Sequence, residues 1–476
     1  MPARAKEAAI LATCCLTIFM IAVDTTVVNL ALPLIGHGLH ASVAGLQWTI
    51  AAYTITTASL MLTSGSIGDR YGRRTVLQVG MAVFALASLG CSLAPNVGAL
   101  IAFRALQGAA GSTLTPMAMG VLTATFTRPA ARARAMGIWA GTFGVGMAIG
   151  PAVGGLLAGA WGWRSLFWIN VLPGIVAIVA AGRLIQASPP IRPRRLDPPG
   201  LVLVTVFLAS LTYGIIEGPA NGWRSGPILV SFAASAAALG AFVSWERRRA
   251  EPLIELSVFR SVPFSGALVI NLCSHAALGG FLFLTTLYLQ DVRGLSVWQA
   301  GVALLPLAAA TAVAGPLAGR AMGRSGARGP LVVAGVTFFA SCLLLARASS
   351  AETWAVVAAA YGLFGVGYGS VNTVIAAVAV AGMPRAQAGV AGGVGSAGRQ
   401  AGQSLGVSVT GAILAGELHG RLESGFRAAS HPAWLVIAAC GLAVLLLGLV
   451  STSARALRTT AVLADHGGLA LTPAPE

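Results

Sequence analysis

Two apolar stretches, 46–66 and 76–95, flank a short charged segment that reads Gly65-Ser66-Ile67-Gly68-Asp69-Arg70-Tyr71-Gly72-Arg73-Arg74. Each stretch is about 20 residues long, the length at which an α-helix crosses the hydrocarbon core of a membrane. The glycines of the segment permit a tight turn, and its charges keep that turn at the membrane face. The pattern predicts two antiparallel membrane helices joined by a short loop.

The whole chain has the composition of an integral membrane protein. Of its 476 residues, 56% are hydrophobic and 9% are charged, against about 25% charged residues in soluble domains. The apolar runs have helical length and lack the alternation of a β-barrel. We therefore predict an all-α polytopic fold with fourteen spans, near 9–31, 46–66, 76–95, 99–122, 136–158, 165–186, 199–217, 226–245, 264–289, 297–319, 330–348, 353–379, 388–415 and 432–451.

The basic residues predict the orientation of the spans. With the N-terminus inside, 22 of the 30 Lys and Arg residues lie in cytoplasmic segments, six lie in outer loops and two lie within spans. This bias places both termini in the cytoplasm. The net charge of +16 is spread over short loops, which favours contact with anionic lipid and argues against nucleic-acid binding. The six cysteines all fall within spans and show no metal or disulfide spacing.

A weak internal repeat predicts the domain organisation. Segment 315–324 shares a glycine start, an arginine and a Gly-Arg pair with segment 65–74. Two six-helix halves with two inserted helices between them would place the segments equivalently, as in transporters built from parallel repeats. The predicted parts are a cytoplasmic N-terminus at 1–8, an N-terminal bundle at 9–186, a linker with two helices at 187–260, a C-terminal bundle at 261–451 and a disordered tail at 452–476.

Asp24 lies in the first predicted span and is the one carboxylate in the interior of the long apolar stretches. A carboxylate at membrane depth is expensive and marks a candidate functional site. Because burial disfavours its charged form, Asp24 could bind and release a proton near neutral pH. Arg104 on span 4 lies about 7 Å below the outer surface and Asp24 about 10 Å below it. We therefore predict that Arg104 is the charge partner of Asp24, although Arg104 could instead extend to the interface.

Four motifs carry a resemblance to a known family. Segment 65–74 resembles the signature loop of the major facilitator superfamily. Gly150, Pro151 and the surrounding glycines resemble the antiporter motif of that superfamily. The segment from Val23 to Pro33 and the Gln47-Trp48 pair resemble the fourteen-helix drug:proton antiporter branch. The resemblance implies a conformational latch formed by Gly65, Asp69, Arg70, Gly72, Arg73 and Arg74 and a close-packed antiporter seam formed by Gly146, Gly150, Pro151, Gly154 and Gly155.

The repeat departs from the pattern in the second half, where Gly319 stands in place of the latch aspartate and the second latch is lost. Polar residues at mid-span predict a substrate cavity lined by Asn29, Asn271, His275, Arg399 and Gln403. His275 could relay protons, contact substrate or be a packed, hydrogen-bonded core residue. Glu217 and Asp291 are interpreted as residues of the outer rim, with a gating role for Glu217 as the alternative.

The function predicted from these features is proton-coupled efflux of small amphipathic compounds by alternating access. The chain has no phosphate-binding loop and no catalytic set, so we expect no enzyme activity and no cofactor, with the proton gradient as the driving force. The charges of Asp24, Arg104 and Arg399 sum to +1, which favours neutral, anionic or zwitterionic substrates over dications. The alternatives are a proton-coupled uptake symporter and a non-transporting membrane receptor. Arginine and alanine usage suggests a bacterial cytoplasmic membrane, and helix packing allows a monomer.

Overall fold

The computed structural model describes residues 3–186, 197–249, 253–254, 256–347, 352–381, 388–418, 422–453, 455–456 and 459. These residues are helical throughout, and no strand occurs among them. The α-helices are α1 Ala3–Leu39, α2 Val43–Tyr71, α3 Arg73–Ser92, α4 Val97–Thr125, α5 Pro129–Trp161, α6 Ser165–Trp168, α7 Val171–Leu184, α8 Pro198–Asn221, α9 Gly226–Arg248, α10 Val262–Leu287, α11 Val297–Ala303, α12 Leu305–Ser325, α13 Arg328–Ala346, α14 Trp354–Ala381, α15 Ala388–Glu417 and α16 Leu422–Ser451.

The prediction of an all-α membrane fold is confirmed. Within the described ranges, ten helices are long and apolar enough to span a membrane, or eleven if the bent α5 counts as one span. Helices α2, α4 and α15 are 29 or 30 residues long but carry more Thr, Ser and Gly. Each of the fourteen predicted spans coincides with one helix or with two consecutive helices. The number fourteen remains a prediction for the bilayer itself. Most of the predicted tail lies outside the described residues.

Helices α1–α7 pack against one another, as do α10–α16. The core of the second group is aromatic, with the rings of Phe281 and Phe364 stacked 4.0 Å apart and Tyr361 and Trp434 set edge-on to Phe281. Many large apolar side chains are exposed on the outer surface. That exposure is expected for helices whose solvent is the lipid hydrocarbon.

The predicted linker contributes α8 and α9, which pack on each other and on α2 and α15. Asp197 precedes α8 and is 2% exposed. Its Oδ1 accepts hydrogen bonds from the Gly200 backbone N–H at 3.1 Å, Trp245 Nε1 at 3.0 Å and Arg249 Nη1 at 3.0 Å. One carboxylate therefore caps α8 and ties the end of α9 to it. The sequence analysis did not identify this contact.

The helices have two distinguishable ends. At the first, which we call the basic end, lie the arginines of segment 65–74 and the start of α5. At the opposite or far end, the two helix groups are in direct contact. Gln47 Nε2 donates to the carbonyls of Val407 at 3.2 Å and Ser408 at 2.8 Å, and Gln290 Nε2 donates to the Leu30 carbonyl at 2.7 Å. These side-chain bonds to backbone carbonyls close the far end.

The two rim residues also have partners at this end. Glu217 accepts a hydrogen bond from Trp48 Nε1 at 2.9 Å, which joins α8 to α2. Asp291 lies 3.5 Å from His37 Nε2. Glu217 is half-buried and the side chain of Asp291 is 19% exposed, so neither is a freely solvated residue. The gating role of Glu217 stays a prediction.

We predict that Asp197→Ala lowers stability far more than Asp69→Ala. Asp197 is buried, and its loss leaves Trp245 and Arg249 without this acceptor, a change that costs about 3 kcal/mol. The Asp69 side chain is 38% exposed and lies 3.4 Å from Arg73, a surface geometry worth under about 1 kcal/mol. Thermal unfolding of the purified variants in detergent should show a lower Tm for Asp197→Ala alone. Equal shifts in both variants would contradict the role of Asp197.

Candidate functional site

Asp24 lies at the middle of α1 with no exposed surface. Its Oδ2 accepts a hydrogen bond from Arg104 Nη1 at 2.8 Å. Its Oδ1 accepts from Gln107 Nε2 at 3.0 Å and from Asn170 Nδ2 at 2.8 Å. The donors come from α4 and from the break between α6 and α7, so three parts of the N-terminal group converge on one carboxylate. Both carboxylate oxygens are therefore hydrogen-bonded, one of them to a guanidinium group.

Arg104 is held as completely as Asp24. Its Nε donates to the Thr49 carbonyl at 3.2 Å, and Nη1 also reaches Gln107 Oε1 at 2.7 Å. The guanidinium carbon lies 4.3 Å from the centroid of the Tyr53 ring, within the range of a cation–π contact. Arg104 is 2% exposed and therefore does not extend to the interface. The pair with Asp24 brings no net charge into the helix group.

Sequence reasoning missed two members of this network. Gln107 lies three residues after Arg104 and so shares its helix face, a signal that was available. Asn170 follows the aromatic residues Phe167 and Trp168 closely, and the sequence analysis did not identify it. The helix break at this residue turns its amide inward, where Nδ2 also reaches Ser88 Oγ at 3.1 Å. Ser88 in turn donates to the Phe167 carbonyl at 2.8 Å, which fixes the position of Asn170.

The predicted seam places the glycine face of α5 against α1. A Cβ atom at Gly150 would collide with the Thr26 hydroxyl, and Cβ atoms at Gly146 and Gly154 would also press on side chains of α1. These three glycines are spaced by four residues and fall on one face, so they allow the two backbones to approach closely. The helix that carries Asp24 therefore lies directly on the seam.

The rest of the seam contacts the second helix group. A Cβ atom at Gly155 would lie 2.6 Å from the Cα of Trp298 on α11. The Pro151 carbonyl packs equally closely on Gly301, whose added Cβ would lie 2.5 Å from that oxygen. The same helix thus packs on α1 by one set of small residues and on α11 by another. This arrangement makes α5 part of the contact that closes the far end.

Segment 65–74 is helical except at Gly72: α2 continues to Tyr71 and α3 begins at Arg73, so the predicted short loop is a turn at a single residue. Gly72 has a φ of +85°, a conformation that glycine adopts without the strain of a side chain. Arg73 Nη2 lies 3.4 Å from Asp69 Oδ1, and Arg73 Nη1 donates to the Gly120 carbonyl of α4 at 3.0 Å. Asp69 therefore holds an arginine that is also bound to α4. The other predicted latch residues lie in the same segment: Gly65, Arg70 and Arg74.

A cavity of about 730 Å³ lies between the two helix groups, bounded by α1, α5, α10, α12 and α14. Its lining is mainly apolar, and none of the described residues that line it is charged. Asn29 lines it, as the sequence predicted, together with Tyr368, which the sequence analysis did not identify. The exposed residues Gly141, Gly144 and Asn372 belong to its lining. The volume suits one small organic molecule.

The other four predicted cavity residues do not line this cavity. Asn271 and His275 of α10 face α15, where Asn271 Nδ2 donates to the Gly395 carbonyl at 2.7 Å. A Cβ atom at Gly402 would lie 2.5 Å from the Leu272 carbonyl, so glycines bring α10 and α15 into close contact and cover this face. Arg399 Nη2 bonds Ser396 Oγ at 2.6 Å. The fourth residue is Gln403, which lies on α15 and is not among the residues that line the cavity.

We predict that Arg104→Gln is strongly destabilising and that Asp24→Asn relieves much of the loss. The single variant leaves a buried carboxylate without its cation, which costs about 3–5 kcal/mol. The double variant has neither charge and keeps side chains of similar size. Unfolding of the wild type, both single variants and the double variant in detergent gives the coupling energy. Additive effects of the two substitutions would contradict a direct ion pair in solution.

We predict that Gly155→Ala weakens the closure of the far end, whereas Gly159→Ala does not. A methyl group at Gly155 meets the backbone of α11, which cannot move aside like a flexible side chain, while the space around Gly159 is open within 4 Å. Spin-label distances between the far ends of α5 and α11 should lengthen or broaden in the first variant. Identical distance distributions in the two variants would argue against this contact.

Comparison with known proteins agrees with this architecture. Residues 14–407 match the family described as Major Facilitator Superfamily. The chain is 36% identical over 408 residues to the multidrug resistance protein Stp of Mycobacterium tuberculosis, covering 86% of this chain and 76% of that protein. It is 38% identical over 400 residues to the tetracenomycin C resistance and export protein of Streptomyces glaucescens, covering 84% and 74%. The methylenomycin A resistance protein of Streptomyces coelicolor is 34% identical, with coverages of 90% and 88%.

Solved structures share the fold. A bacterial homolog to the human lysosomal transporter Spinster, in an inward-facing and occupied conformation, has a TM-score of 0.68 at 16% identity over 100% of both chains. The POT family transporter PepTSo has a TM-score of 0.68 at 14% identity, with coverages of 96% and 98%. With the family match, the helices and these structures in agreement, the chain belongs to the Major Facilitator Superfamily and is a multi-pass membrane transporter, not an enzyme.

Proposed function

We propose that the chain is a proton-coupled exporter of small amphipathic compounds, with Asp24 as the proton carrier. The observation that carries this proposal is the place of Asp24 on α1. It is a fully buried carboxylate two residues from Thr26, which lines the cavity. Export is supported by the relatives, which are named for multidrug resistance, antibiotic resistance and export. A buried carboxylate on a helix that also lines a substrate-sized cavity is an arrangement that coupled transport can use.

The conformation fits one stage of alternating access. Contacts between the helix groups close the far end, and exposed residues of α5 and α14 border the cavity. The arginine distribution favours a cytoplasmic position for the basic end, and in this proposal both termini lie there. In that orientation, the structure represents a state that is closed to the outside and ready to receive a compound from the cytoplasm or inner leaflet.

Helix α1 provides the link between the proton and the compound. Successive residues on a helix are rotated by 100°, so Asp24 and Thr26 point to nearly opposite faces. Protonation of Asp24 removes the negative charge that holds Arg104 and weakens the contact between α1 and α4. The glycine face of α5 allows α1 to shift along it without side-chain interlocking. Release of the proton would restore the pair and return α1 to the position described here.

The energy source in this proposal is the proton gradient, with no cofactor. One charge that crosses a membrane potential of 100 mV contributes about 2.3 kcal/mol. A single chain contains both helix groups, the cavity and the carboxylate, so the proposed unit is a monomer in a bacterial cytoplasmic membrane. The second candidate is a proton-coupled uptake symporter, which would use the same carboxylate. The names of the relatives and the glycine seam favour export over uptake.

We predict that Asp24→Asn abolishes compound-driven proton movement. Purified protein in vesicles with an imposed pH gradient should release protons when proflavine, an aromatic amine dye, is added. The Asp24→Asn protein should not release protons, because an amide does not bind and release a proton near neutral pH. Glu7→Gln is the matched control, since Glu7 is an exposed carboxylate on the same helix, and it should behave as wild type. Proton movement that persists in Asp24→Asn would place the carrier elsewhere.

A further inference from the structure

We propose that the cavity selects compounds that carry N–H or O–H groups, because its polar lining offers mainly hydrogen-bond acceptors. The proposal rests on the proposed function in one respect, namely that the cavity is the compound-binding site. It is independent of the proton carrier. The selection arises from hydroxyl groups whose protons are already used within the protein and from one buried amide oxygen that has no partner.

Three threonines in the lining have committed hydroxyl protons. Thr26 Oγ1 donates to the Ala22 and Val23 carbonyls at 3.1 Å, and Thr373 Oγ1 donates to the Gly369 carbonyl at 3.1 Å. Thr311 Oγ1 donates to the Leu307 carbonyl at 2.8 Å. In helices these bonds run back to the preceding turn and leave the oxygen lone pairs for another donor. Each of these hydroxyls therefore meets a bound compound as an acceptor.

His275 determines the role of the Tyr368 hydroxyl. His275 Nδ1 lies 2.9 Å from the Asn271 carbonyl, which can only accept, so Nδ1 carries the proton. In the neutral imidazole Nε2 then has a free lone pair, and the Tyr368 Oη lies 3.3 Å from it. Tyr368 donates its proton to Nε2, so its hydroxyl oxygen remains as an acceptor on a residue that lines the cavity. His275, which does not line the cavity, is thus a positioning residue for a group that does.

Asn29 carries a further acceptor, which has no partner among the described residues. It lines the cavity, is 4% exposed, and its Nδ2 donates to the Thr25 carbonyl at 2.7 Å. Its Oδ1 is buried and has no hydrogen-bond partner in the described part of the chain. A buried amide oxygen without a partner costs about 1–3 kcal/mol. This oxygen has almost no accessible surface, so a compound reaches it only if the Asn29 side chain shifts toward the cavity, and a donor that then bonds it removes that cost.

Two polar residues of the lining, Thr286 and Asn372, remain able to donate as well as accept. They do not reverse the balance, since the other five polar side chains present oxygen acceptors. Among the described residues, none that lines the cavity is charged, and Asp24, Arg104 and Arg399 are not part of the lining. The charge sum that we drew from the sequence therefore does not describe the cavity. In this proposal the cavity distinguishes compounds by their hydrogen-bond donor groups and not by their net charge.

Two dyes of equal charge test the proposal. Proflavine and acridine orange share the acridine ring and are both monocations near neutral pH, but proflavine has two NH₂ groups and acridine orange has N(CH₃)₂ in their place. Fluorescence anisotropy with purified protein in detergent should give proflavine at least tenfold tighter binding, the change expected from about 1.4 kcal/mol. Binding in detergent does not depend on proton transport, so this result and that for the proposed function can fail separately.

Single substitutions identify the acceptor. Tyr368→Phe should weaken binding of proflavine several-fold and leave that of acridine orange unchanged. Tyr361→Phe is the control, because Tyr361 lies on the same helix but does not line the cavity, and it should change neither affinity. His275→Phe keeps an aromatic ring but removes Nε2. The Tyr368 proton is then free to enter the cavity, and the preference for proflavine should shrink although the tyrosine is intact.

Equal affinities of the wild type for the two dyes would overturn the proposal, as would an equal loss of both in Tyr368→Phe. Tighter binding of acridine orange would also overturn the proposal, because apolar contact with its methyl groups would then outweigh any hydrogen bonds to the lining. If proflavine is preferred but drives no proton movement through Asp24, the acceptor cavity stands and the exporter proposal fails.

Discussion

The ion pair between Asp24 and Arg104 is the constraint around which the N-terminal helices are arranged. A charge in a site with no water is tolerated only when a partner and hydrogen bonds replace its hydration. Asp24 obtains these from α4 and from the break between α6 and α7, and Arg104 also contacts α2 and Gln107 of its own helix. The positions of four helices thus follow from neutralising one carboxylate. A change in its protonation necessarily changes the forces on all of them.

Helix α1 joins the parts of the site that would otherwise be separate. One face holds Asp24, another lines the cavity through Thr26 and Asn29, and the glycines of α5 pack on it as well. At the far end the Leu30 carbonyl is bound by Gln290 of the second helix group. A small displacement of α1 therefore reaches the cavity and the closed end together. The C-terminal group contributes hydrogen-bond acceptors to the cavity. None of its described residues that line the cavity is charged.

The sequence predicted those site residues whose role follows from a local pattern, and it did not predict those whose role depends on how distant helices pack. Asp24 and Arg104 stand out because charges are rare in apolar spans, and their depths along two helices placed them together. Asn170 was missed because its role depends on the break between α6 and α7, which no sequence pattern predicted. Asn271 and His275 were predicted to line the cavity because they are polar, but close packing on the glycines of α15 covers them. Membership of a helix face is local, whereas access to a cavity depends on how two helix groups meet.

The central claim is that Asp24 changes its protonation state when a compound binds. Infrared difference spectra of the reconstituted protein, recorded with and without proflavine at constant pH, report the carbonyl stretch of a protonated carboxyl group directly. We predict a change in that band for the wild type and for Glu7→Gln, and its absence in Asp24→Asn. A band that remains in Asp24→Asn, or a wild-type spectrum without any carboxyl change, would contradict the account.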